Sequence, residues 1–336
     1  MEKEMLEKWE QIYYFALEIA RFEPWEQFGE KDILALIPKG KREEHYFSFL
    51  GQTFDQYGIA IYQNGYSYFR ARERLHGPNP KKEPVFLLQD AIILLWGDRE
   101  DVSRENYAIM KELGLKCRGR GGWPYFERYR VGYAPQAVTE EELDTLLDDL
   151  GNLMMMVRAV AEGKVEVDFE NLKVLTRCYS KADDMFYTFA ADLGPTPKPG
   201  YTSITMEDNP WLQKLRDMRS RGTIALDWSY LPTAVKEGET KIIPRLLLAV
   251  DARSGYVMKS ELLAASDKPY DDLLDILGDI AEEYGKPSTI EICDPEIEAY
   301  ISDLCQKAGI HLVMRRQLKQ VTIVRKGFLK NMFETT

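Results

Sequence analysis

The spacing of apolar residues predicts a helix at the start of the chain and a sheet after it. Between residues 5 and 22, apolar side chains recur every three or four positions, which places them on one face of an amphipathic helix. After Pro24, the short runs DILALIP, HYFSFLG and YGIAIYQ are strand-like and are separated by Gly, Lys and Asp. The pair Asn64 and Gly65 predicts a tight turn. These patterns favour an α+β fold with a sheet.

The same kinds of pattern continue to residue 193. VFLLQDAIILLWGD predicts one or two buried strands, SRENYAIMKELG a helix capped by Ser103, and TEEELDTLLDDLGNLMMMVRAV a long helix capped by Thr139. KVLTRCYSKADDMFYTFAADL predicts a hairpin of two strands around a polar turn. Residues 1–193 are therefore predicted to form one α+β domain.

A domain boundary is predicted in GPTPKPG, residues 194–200, which holds three prolines and two glycines. Such spacers are semi-rigid and exposed to solvent. We predict a linker over residues 194–222, with a short helix around NPWLQKLRDMRS. The 336 residues of the chain suffice for two domains. Residues 223–336 are predicted to form the second one.

The second domain has the pattern of a mixed five-stranded sheet. TIALDWSYL, KIIPRLLLAVDA and YVMKSELLAA predict three antiparallel strands, the last two joined by a tight turn at RSG. A helix (PYDDLLDILGDIAEEYG), a strand (STIEICD), a second helix (PEIEAYISDLCQKAG) and a strand (IHLVMR) follow. Alternating helices and strands imply right-handed parallel crossovers, so we expect an α/β domain. A three-strand meander followed by helix, strand, helix and strand resembles the ribonuclease H-like layout, which implies that the first and fourth strands are neighbours.

One acidic residue, Asp227, interrupts the apolar run of the first strand of this domain. Burying an ionised carboxylate is costly, so it needs a cation, a hydrogen-bond donor or a bound metal. Asp251 stands at the end of another strand, before Ser254 and Gly255, where an aspartate is expected to form the turn. Asp227 is therefore the first candidate for a functional site.

The segments LDWSYLP, LLLAVDARSGYVMKSELL and YGKPSTIEICDPEIEAYISDLCQKAGIHL occur in an order that resembles the integrase and transposase core of the ribonuclease H-like superfamily. The resemblance implies a ribonuclease H-like fold for this domain. It also implies that Asp227 and Asp294 are the first and second carboxylates of a site for Mg²⁺ or Mn²⁺. With a third acid, such a site positions two metals for attack on a phosphodiester.

The chain departs from that family at two points. Pro295 and Glu296 follow Asp294, where the family usually has a small or polar residue and glycine, and Pro295 suits the first position of a helix. Residues 312–333 contain no Asp or Glu that could supply the third carboxylate. Acids of the first helix of the domain are alternatives: Asp271, Asp272, Asp275, Asp279, Glu282 and Glu283.

The charge distribution limits the kinds of partner that we expect. With 55 acidic and 44 basic side chains, the net charge is -11, which argues against a broadly basic nucleic-acid binder. Residues 312–333 are nevertheless basic, and Arg315 and Arg316 are candidate ligand-binding residues. The other basic residues there are Lys319, Arg325, Lys326 and Lys330. They either contact nucleic-acid phosphates or pair with the acidic helix of their own domain, and the second interpretation is favoured.

A second group of candidate ligand-binding residues lies in LKCRGRGGWPYFERYRVGYAP, where arginines alternate with aromatic residues. Arginine and aromatic side chains together can hold bases, phosphates or carboxylates. The alternative is a Gly-rich loop whose aromatics cover the core and whose arginines pair with nearby acids. The candidates are Arg118, Arg120, Trp123, Arg128 and Arg130.

The sequence shows no targeting or membrane signal. The start of the chain, MEKEMLEKWEQ, lacks the apolar stretch of a signal peptide, and AIILLW and RLLLAV are too short to span a membrane. We therefore expect a cytoplasmic protein. Its four cysteines form no CxxC pair and are expected to be reduced and mostly buried, and the spacing of its three histidines indicates no metal site.

The whole chain also resembles a two-domain bacterial family of unknown function, through GLKCRGRGGWPYF-like and YGIAIY-like stretches. This implies the domain division and no activity. We expect a non-catalytic binding or interaction scaffold that needs no cofactor and has a protein or an anionic ligand as its partner, with nucleic acid less favoured. One alternative is a metal-dependent nuclease or strand-transfer enzyme. Another is a first domain that binds a peptide or an anionic small molecule through residues 118–130.

Overall fold

The computed structural model describes residues 2–40, 43–51, 56–77, 83–193, 201, 203–238, 240–264 and 269–333. The chain divides into two units, Met1–Val131 with Pro135–Pro199, and Gly132–Ala134 with Gly200–Thr336. The predicted linker at residues 194–200 lies outside the described residues. None of the described helices is both long and apolar enough to cross a membrane.

The first unit is built on a mixed sheet of seven strands. Its described elements are α1 (Lys3–Ala20), β1 (Leu34–Ile37), β2 (His45–Leu50), β3 (Tyr57–Tyr62), α2 (Gly65–His76), β4 (Ala91–Gly97), α3 (Arg104–Glu112), β5 (Trp123–Tyr129), α4 (Leu143–Ala161), β6 (Lys173–Ser180) and β7 (Met185–Asp192). The strand order is β5-β4-β3-β2-β1-β6-β7. Only the β1–β6 pair is parallel, and the other neighbours are antiparallel. The first unit is therefore a mixed α/β structure.

The core of the first unit forms where α1 and α4 pack together against the sheet. Side chains alternate between the two faces of a strand, so Leu34 and Leu36 of β1 point to the same face, and both are fully buried. Trp9 and Tyr13 of α1 pack against Phe126 of β5, with ring centroids 5.7 and 5.5 Å apart. The apolar face predicted for the first helix is the face that it buries.

The tight turn predicted at Asn64 and Gly65 is instead the start of α2. Asn64 is the N-cap, and its side-chain oxygen accepts a hydrogen bond from the backbone N–H of Ser67 at 2.8 Å. Asparagine is favoured both in turns and at helix N-caps, so the pair of residues alone does not distinguish the two. The turn prediction was wrong because GYSYFRARERLH shows little of the apolar spacing that indicates a helix. Only a narrow side of α2, which includes Tyr68 and Phe69, is apolar and buried.

The arginine-rich segment contains the edge strand β5 and not a loop over residues 123–129, so that part of the prediction was wrong. Pro124, Tyr125 and Phe126 are buried, and the strand pairs with β4 along one side. The Arg128 side chain is 14% exposed and lies 2.6 Å from Glu142 and 2.5 Å from Asp90. Glu142 also forms a capping box with Thr139 at the start of the helix that leads into α4.

The second unit is built on a mixed sheet of five strands, as predicted. Its described elements are α5 (Pro210–Asp217), β8 (Arg221–Tyr230), β9 (Val235–Glu237), β10 (Thr240–Ile242), β11 (Arg245–Asp251), β12 (Val257–Leu263), α6 (Pro269–Tyr284), β13 (Pro287–Ile292), α7 (Pro295–Ala308), β14 (His311–Met314) and α8 (Lys319–Phe333). The strand order is β12-β11-β8-β13-β14. β12, β11 and β8 are antiparallel, and β8, β13 and β14 are parallel.

Three details of the second unit differ from, or add to, the predicted pattern. KIIPRLLLAVDA is two strands, β10 and β11, because Pro244 lies between them and cannot donate a ladder hydrogen bond. The predicted turn at Asp251 is present, since its carboxylate accepts hydrogen bonds from the Ser254 N–H and hydroxyl at 2.7 Å each. The last helix, α8, was not predicted, because basic residues interrupt its apolar positions.

The two faces of the five-stranded sheet are covered by different helices. Ile224, Leu226 and Trp228 of β8 belong to the core formed with α6 and α7. Ala225 belongs to a second core, formed with α8. Asp227 has the same parity along β8 as Ala225, so its side chain points towards α8.

The four cysteines are free, and only Cys305 is fully buried. Burial raises the pKa of the Cys305 thiol to about 12. Cys117, Cys178 and Cys293 are partly buried, so the prediction that most of the thiols are buried was wrong.

The Glu142 contacts predict a loss of stability in acid. Burial by itself raises the pKa of this carboxyl, but hydrogen bonds from Thr139 and Arg128 outweigh it and hold the pKa below its usual value. The stabilisation is therefore complete above the unfolded-state pKa of about 4.3 and is lost as the pH falls through the lower folded-state pKa. We expect Glu142→Gln to lower the free energy of unfolding at pH 7 by about 1 kcal/mol, measured by urea denaturation.

The matched control for this prediction is Glu140→Gln, which changes an exposed acid of the same helix start. We expect the difference between Glu142→Gln and the unsubstituted protein to shrink as the pH falls below 4.3. A difference that stays constant at all pH values would contradict the role given to the charge.

Candidate functional site

Asp227 lies in the middle of the central strand β8 and is ion-paired to the last helix. Its Oδ2 accepts a hydrogen bond from Arg325 of α8 at 2.5 Å. The Asp227 side chain is 9% exposed and that of Arg325 is 24% exposed, so the pair is largely shielded from water. The carboxylate that required a partner on physical grounds has a guanidinium, which can donate several hydrogen bonds in a fixed plane.

Asp294 follows the neighbouring strand β13 and is the N-cap of α7. Its Oδ1 accepts a hydrogen bond from the Glu296 N–H at 2.9 Å, and its Oδ2 accepts one from the Trp228 indole at 3.0 Å. A carboxylate at this place satisfies a backbone N–H that has no partner within the helix, and it interacts favourably with the positive end of the helix dipole. Pro295 is the first residue of the helix, as its position in the sequence predicted.

The two aspartates make contacts on different faces of the sheet. Asp227 contacts α8, whereas Asp294 contacts Trp228, whose side chain belongs to the core on the side of α6 and α7. β8 and β13 are parallel neighbours, so the strand order does bring the two positions to adjoining strands. The alternation of side chains then separates the carboxylates, because Asp227 and Trp228 are consecutive residues of one strand.

These residues do not fit a two-metal site. A divalent metal of this kind is held by carboxylate and other oxygens that are directed at it together. Asp227 is directed at a guanidinium, and Asp294 at a helix N-terminus and an indole. Among the residues that the structure describes, no group of three or more His, Cys, Asp or Glu could hold a metal ion.

Two of the six acids of α6, considered above as a source of a third carboxylate, form ion pairs with lysines. Asp279 pairs with Lys259 of β12 at 2.5 Å, and Glu282 pairs with Lys214 of α5 at 2.8 Å. The pKa of Asp272 is raised, first by burial and then by the neighbouring carboxylates. Asp279 and Glu282 are therefore engaged by lysines of β12 and α5.

A buried polar cluster surrounds Trp228 on the face of the sheet that packs against α6 and α7. Glu296 is almost completely buried and accepts a hydrogen bond from the Tyr300 hydroxyl at 3.2 Å. The Arg245 guanidinium lies over the Trp228 ring, 4.5 Å from its centroid. Trp228 thus connects Asp294 to a charged and aromatic neighbourhood, and the sequence patterns indicated neither Glu296 nor Arg245 as part of it.

Five of the six basic residues between positions 315 and 330 divide into two groups. Arg315 pairs with Glu291 of β13, and Arg325 pairs with Asp227 of β8. Both partners lie on strands, so the interpretation that this stretch pairs with the acidic helix was wrong for these two arginines. Arg316, Lys319 and Lys326 are exposed and form no ion pair with any residue that the structure describes. These three are the basic side chains available to a ligand.

The candidate residues of the first unit do not form one binding surface. Arg128 is held by Glu142 and Asp90, and Trp123 lies on the opposite face of β5, because five positions separate the two residues along the strand. Arg130 lies 3.9 Å from the same Glu142.

The remaining two arginines precede the strand. Arg120 is 98% exposed and lies 3.9 Å from Asp98, and Arg118 is exposed. Trp123 packs near Tyr107, which in turn lies under the Arg99 guanidinium at 3.6 Å. Most of these arginines therefore pair with acids of the same unit. This is the interpretation that the sequence offered as the alternative to ligand binding.

One polar pair of the first unit was missed altogether. His45 of β2 and Asp149 of α4 are both buried, and their Nδ1 and Oδ1 atoms are 2.6 Å apart. Nearby, Arg177 of β6 donates hydrogen bonds to Asn152 of α4 and to Thr188 of β7, each at 2.8 Å. The histidine and aspartate are 104 positions apart, so no local spacing reveals them, and their contacts fix α4 on the sheet.

One signal in the sequence could have found Arg325. Asp227 needed a cation, and residues 312–333 combine basic residues with apolar ones at Leu318, Val321 and Phe328. The spacing of three and seven is helical, and Leu318 and Val321 are buried in the core that α8 forms with the sheet. The last helix was therefore the available source of the cation.

The fold and contacts define a two-unit mixed α/β protein. Comparison of its sequence with family models shows which family it belongs to. The chain belongs to the family described as domain of unknown function DUF7309, whose model matches residues 9–177, about half of the chain. The model of a second domain of unknown function, DUF6930, matches residues 211–329. The two matches agree with the predicted two-domain organisation. No curated protein matches the chain.

Solved structures with weak similarity to the chain include two retroviral ones. A chain of the simian T-cell lymphotropic virus intasome, solved in complex with PP2A regulatory subunit B56 gamma, is 18% identical with a TM-score of 0.26. The HTLV-2 integrase catalytic core domain in complex with magnesium is 16% identical, also with a TM-score of 0.26. Each match covers 34% of this chain, and they cover 42% and 73% of the respective structures. This chain thus spans less than half of the intasome chain.

The cap role of Asp294 predicts different results for two substitutions. Asp294→Asn keeps one oxygen that can accept from the Glu296 N–H, but its NH2 group cannot accept from the Trp228 indole, so we expect a loss of about 1 kcal/mol. Asp294→Ala removes the acceptor for both this N–H and the Trp228 indole, and we expect a loss of about 2 kcal/mol in the free energy of unfolding. Urea denaturation of both variants measures the difference. Equal losses would contradict the cap role, because the hydrogen bond to the Glu296 N–H is the contact that only Asp294→Asn retains.

Proposed function

We propose that the second unit is a ribonuclease H-like domain that acts as a non-catalytic binding scaffold. The order β12-β11-β8-β13-β14, with an antiparallel meander followed by two parallel strands, supports this fold assignment. A fold does not imply an activity, which depends on the residues of the site. The proposal therefore rests on what Asp227 and Asp294 contact.

The observation that carries the proposal is the ion pair between Asp227 and Arg325. A metal-binding carboxylate must present its oxygens to a cation that enters from solvent. Here the cation is part of the chain and is delivered by a helix that packs on the same face of the sheet. Removing one member would leave a shielded charge without its partner, which is strongly destabilising.

The surface that such a scaffold offers is the exposed side of α8 and the turn before it. Arg316, Lys319 and Lys326 point to solvent there, and Ile323 between them is 65% exposed. Basic side chains beside an exposed apolar one suit a partner that carries carboxylates and some apolar surface. Because the whole chain has a net charge of -11, we infer a short acidic protein segment and not a long polyanion.

A double-mutant cycle tests the structural role of Asp227. Because Arg325 is partly exposed, we expect Asp227→Asn and Arg325→Met each to lower the free energy of unfolding by about 2 kcal/mol, and the double variant to lose less than the sum. Urea denaturation with and without Mn²⁺ gives the four values and their metal dependence. The exposed pair Lys259 and Asp279, changed in the same way, is the control and should show a coupling below about 1 kcal/mol.

A metal site would give the opposite result in this cycle. Carboxylates gathered for a metal repel one another when the metal is absent, so Asp227→Asn would then leave the protein as stable or more stable. Addition of Mn²⁺ would raise the melting temperature of the unsubstituted protein and not that of the variant. That pair of results would refute the scaffold proposal and support a metal-dependent enzyme.

Charge reversal on α8 tests the proposed binding surface. We expect Lys319→Glu with Lys326→Glu to raise the Kd for a fluorescein-labelled polyglutamate peptide roughly tenfold, since each exposed charge contributes up to about 1 kcal/mol. The control, Lys236→Glu with Lys241→Glu, makes the same charge change on the β9–β10 ribbon of the same unit. Fluorescence anisotropy measures the Kd of the peptide for the unsubstituted protein and for the two double variants.

Equal weakening by both pairs would mean that only the net charge matters and would contradict a surface on α8. The same titration with a labelled single-stranded oligonucleotide separates the two kinds of anion. Tighter binding of the oligonucleotide, lost in the α8 variant, would replace the acidic segment with nucleic acid as the partner.

A further inference from the structure

The strand β7 lies at one edge of the seven-stranded sheet, and its sequence leaves that edge open to pairing. Residues 185–191 read MFYTFAA and contain no charge and no proline. An edge strand presents a row of hydrogen-bonding backbone groups, and proteins usually protect it with charges, proline, bulges or a covering segment. β7 pairs with β6 in continuous register over eight positions, without a bulge.

The opposite edge of the same sheet is protected in several of these ways. β5 contains Pro124, Glu127 and Arg128. Its outer side also pairs with a neighbouring segment, since Arg128 forms a bridge to Gln136 with backbone hydrogen bonds of 2.8 and 3.1 Å. Within one sheet, therefore, one edge is protected against pairing, whereas the other has no charge or proline between residues 185 and 191 and no covering strand among the described residues.

The side chains of β7 form an exposed apolar row. Met185, Tyr187 and Phe189 are 57, 46 and 43% exposed and lie on the same face of the strand. The row continues into a groove of about 370 Å³, lined by Ala35, Thr176 and Phe189 among others. Aromatic residues exposed in a row on an unprotected strand are characteristic of surfaces that bind another protein.

The order of residues along β7 determines which partner fits. Two Asp residues bound the segment, and Thr188 stands midway between Asp184 and Asp192. If two copies of β7 run antiparallel with Thr188 opposite Thr188, Tyr187 lies opposite the partner subunit's Phe189. Phe186 and Met185 then lie opposite the partner subunit's Ala190 and the partner subunit's Ala191. Aromatic side chains meet aromatic ones, and large side chains meet small ones.

The charges at the ends of the segment do not oppose this register. It brings Asp184 opposite the partner subunit's Asp192, and like charges directly opposite each other are unfavourable. Each carboxylate already has a lysine in its own chain, however, because Lys39 pairs with Asp184 and Lys173 pairs with Asp192. Each end of the strand is therefore close to neutral.

We propose that two copies of this chain pair through β7, antiparallel and with Thr188 at the two-fold axis, to form a continuous sheet across a homodimer. Self-complementarity of one patch is the requirement for a two-fold interface, the most common kind in soluble homo-oligomers. The cross-strand aromatic pairs and the threonine pair at the axis are contacts that stabilise neighbouring strands. This inference concerns the first unit and is independent of the function proposed for the second.

The first test is the molar mass of the full chain in solution, measured by light scattering over a concentration series. We expect twice the chain mass of 38.9 kDa. Tyr187→Lys with Phe189→Lys should give the monomer mass, because charges in the row would face each other across the axis. The control, Tyr14→Lys with Tyr66→Lys, changes two equally exposed aromatics elsewhere in the unit and should remain dimeric. A monomeric unsubstituted chain, or a dimer that persists in the β7 variant, would overturn the proposal.

The second test uses the register and does not depend on how well the lysine variant folds. In Thr188→Cys the two new thiols would meet at the axis, and mild oxidation should join the copies through a disulfide between the substituted positions. In Ala190→Cys the new thiols would be about 14 Å apart, four residues along the strand, so we expect no such bond. Peptide mass spectrometry identifies the linked positions. Equal crosslinking of both variants, or of neither, would overturn the proposed register.

Discussion

The second unit depends on the charge of Asp227 being compensated inside the fold. This acid lies in the central strand, between the apolar residues Leu226 and Trp228, and an ionised carboxylate there is tolerated only with a partner. Arg325 supplies that partner from the last helix, and the contact ties α8 to the sheet together with the apolar contacts of Leu318 and Val321. The C-terminal helix therefore completes the second unit electrostatically as well as by packing.

The second aspartate shows why a shared strand order does not produce a shared chemistry. β8 and β13 are parallel neighbours, so the two acids belong to adjoining segments of the sheet. Asp294 nevertheless contacts Trp228, and Asp227 points to the other face, because consecutive residues of a strand alternate. A catalytic pair would need both carboxylates directed at one point. In this chain each has a structural contact, which is the basis for a proposal of binding and not of phosphodiester chemistry.

Buried polar groups of the first unit also need partners, and other side chains of that unit supply them. His45 and Asp149 satisfy each other inside the core, and Arg128 satisfies Glu142 at the start of the helix that leads into α4. The backbone groups at the β7 edge are polar too, and the described residues place no strand beside them. The proposed homodimer would supply that strand from a second copy, and it would cover the exposed row of Met185, Tyr187 and Phe189.

The sequence by itself determined most of the elements and the two-domain organisation. Patterns of two and of three to four residues are local, so they located most strands and most helices, including the Ser103 end of α3, but not β5 or β9. It also identified Asp227 as a carboxylate that needs a partner. It did not identify Arg325, which is 98 positions away, nor the pairing of His45 with Asp149. Only the tertiary structure decided these, because which side chain reaches a buried charge depends on how distant segments pack, and local periodicity contains no information about that.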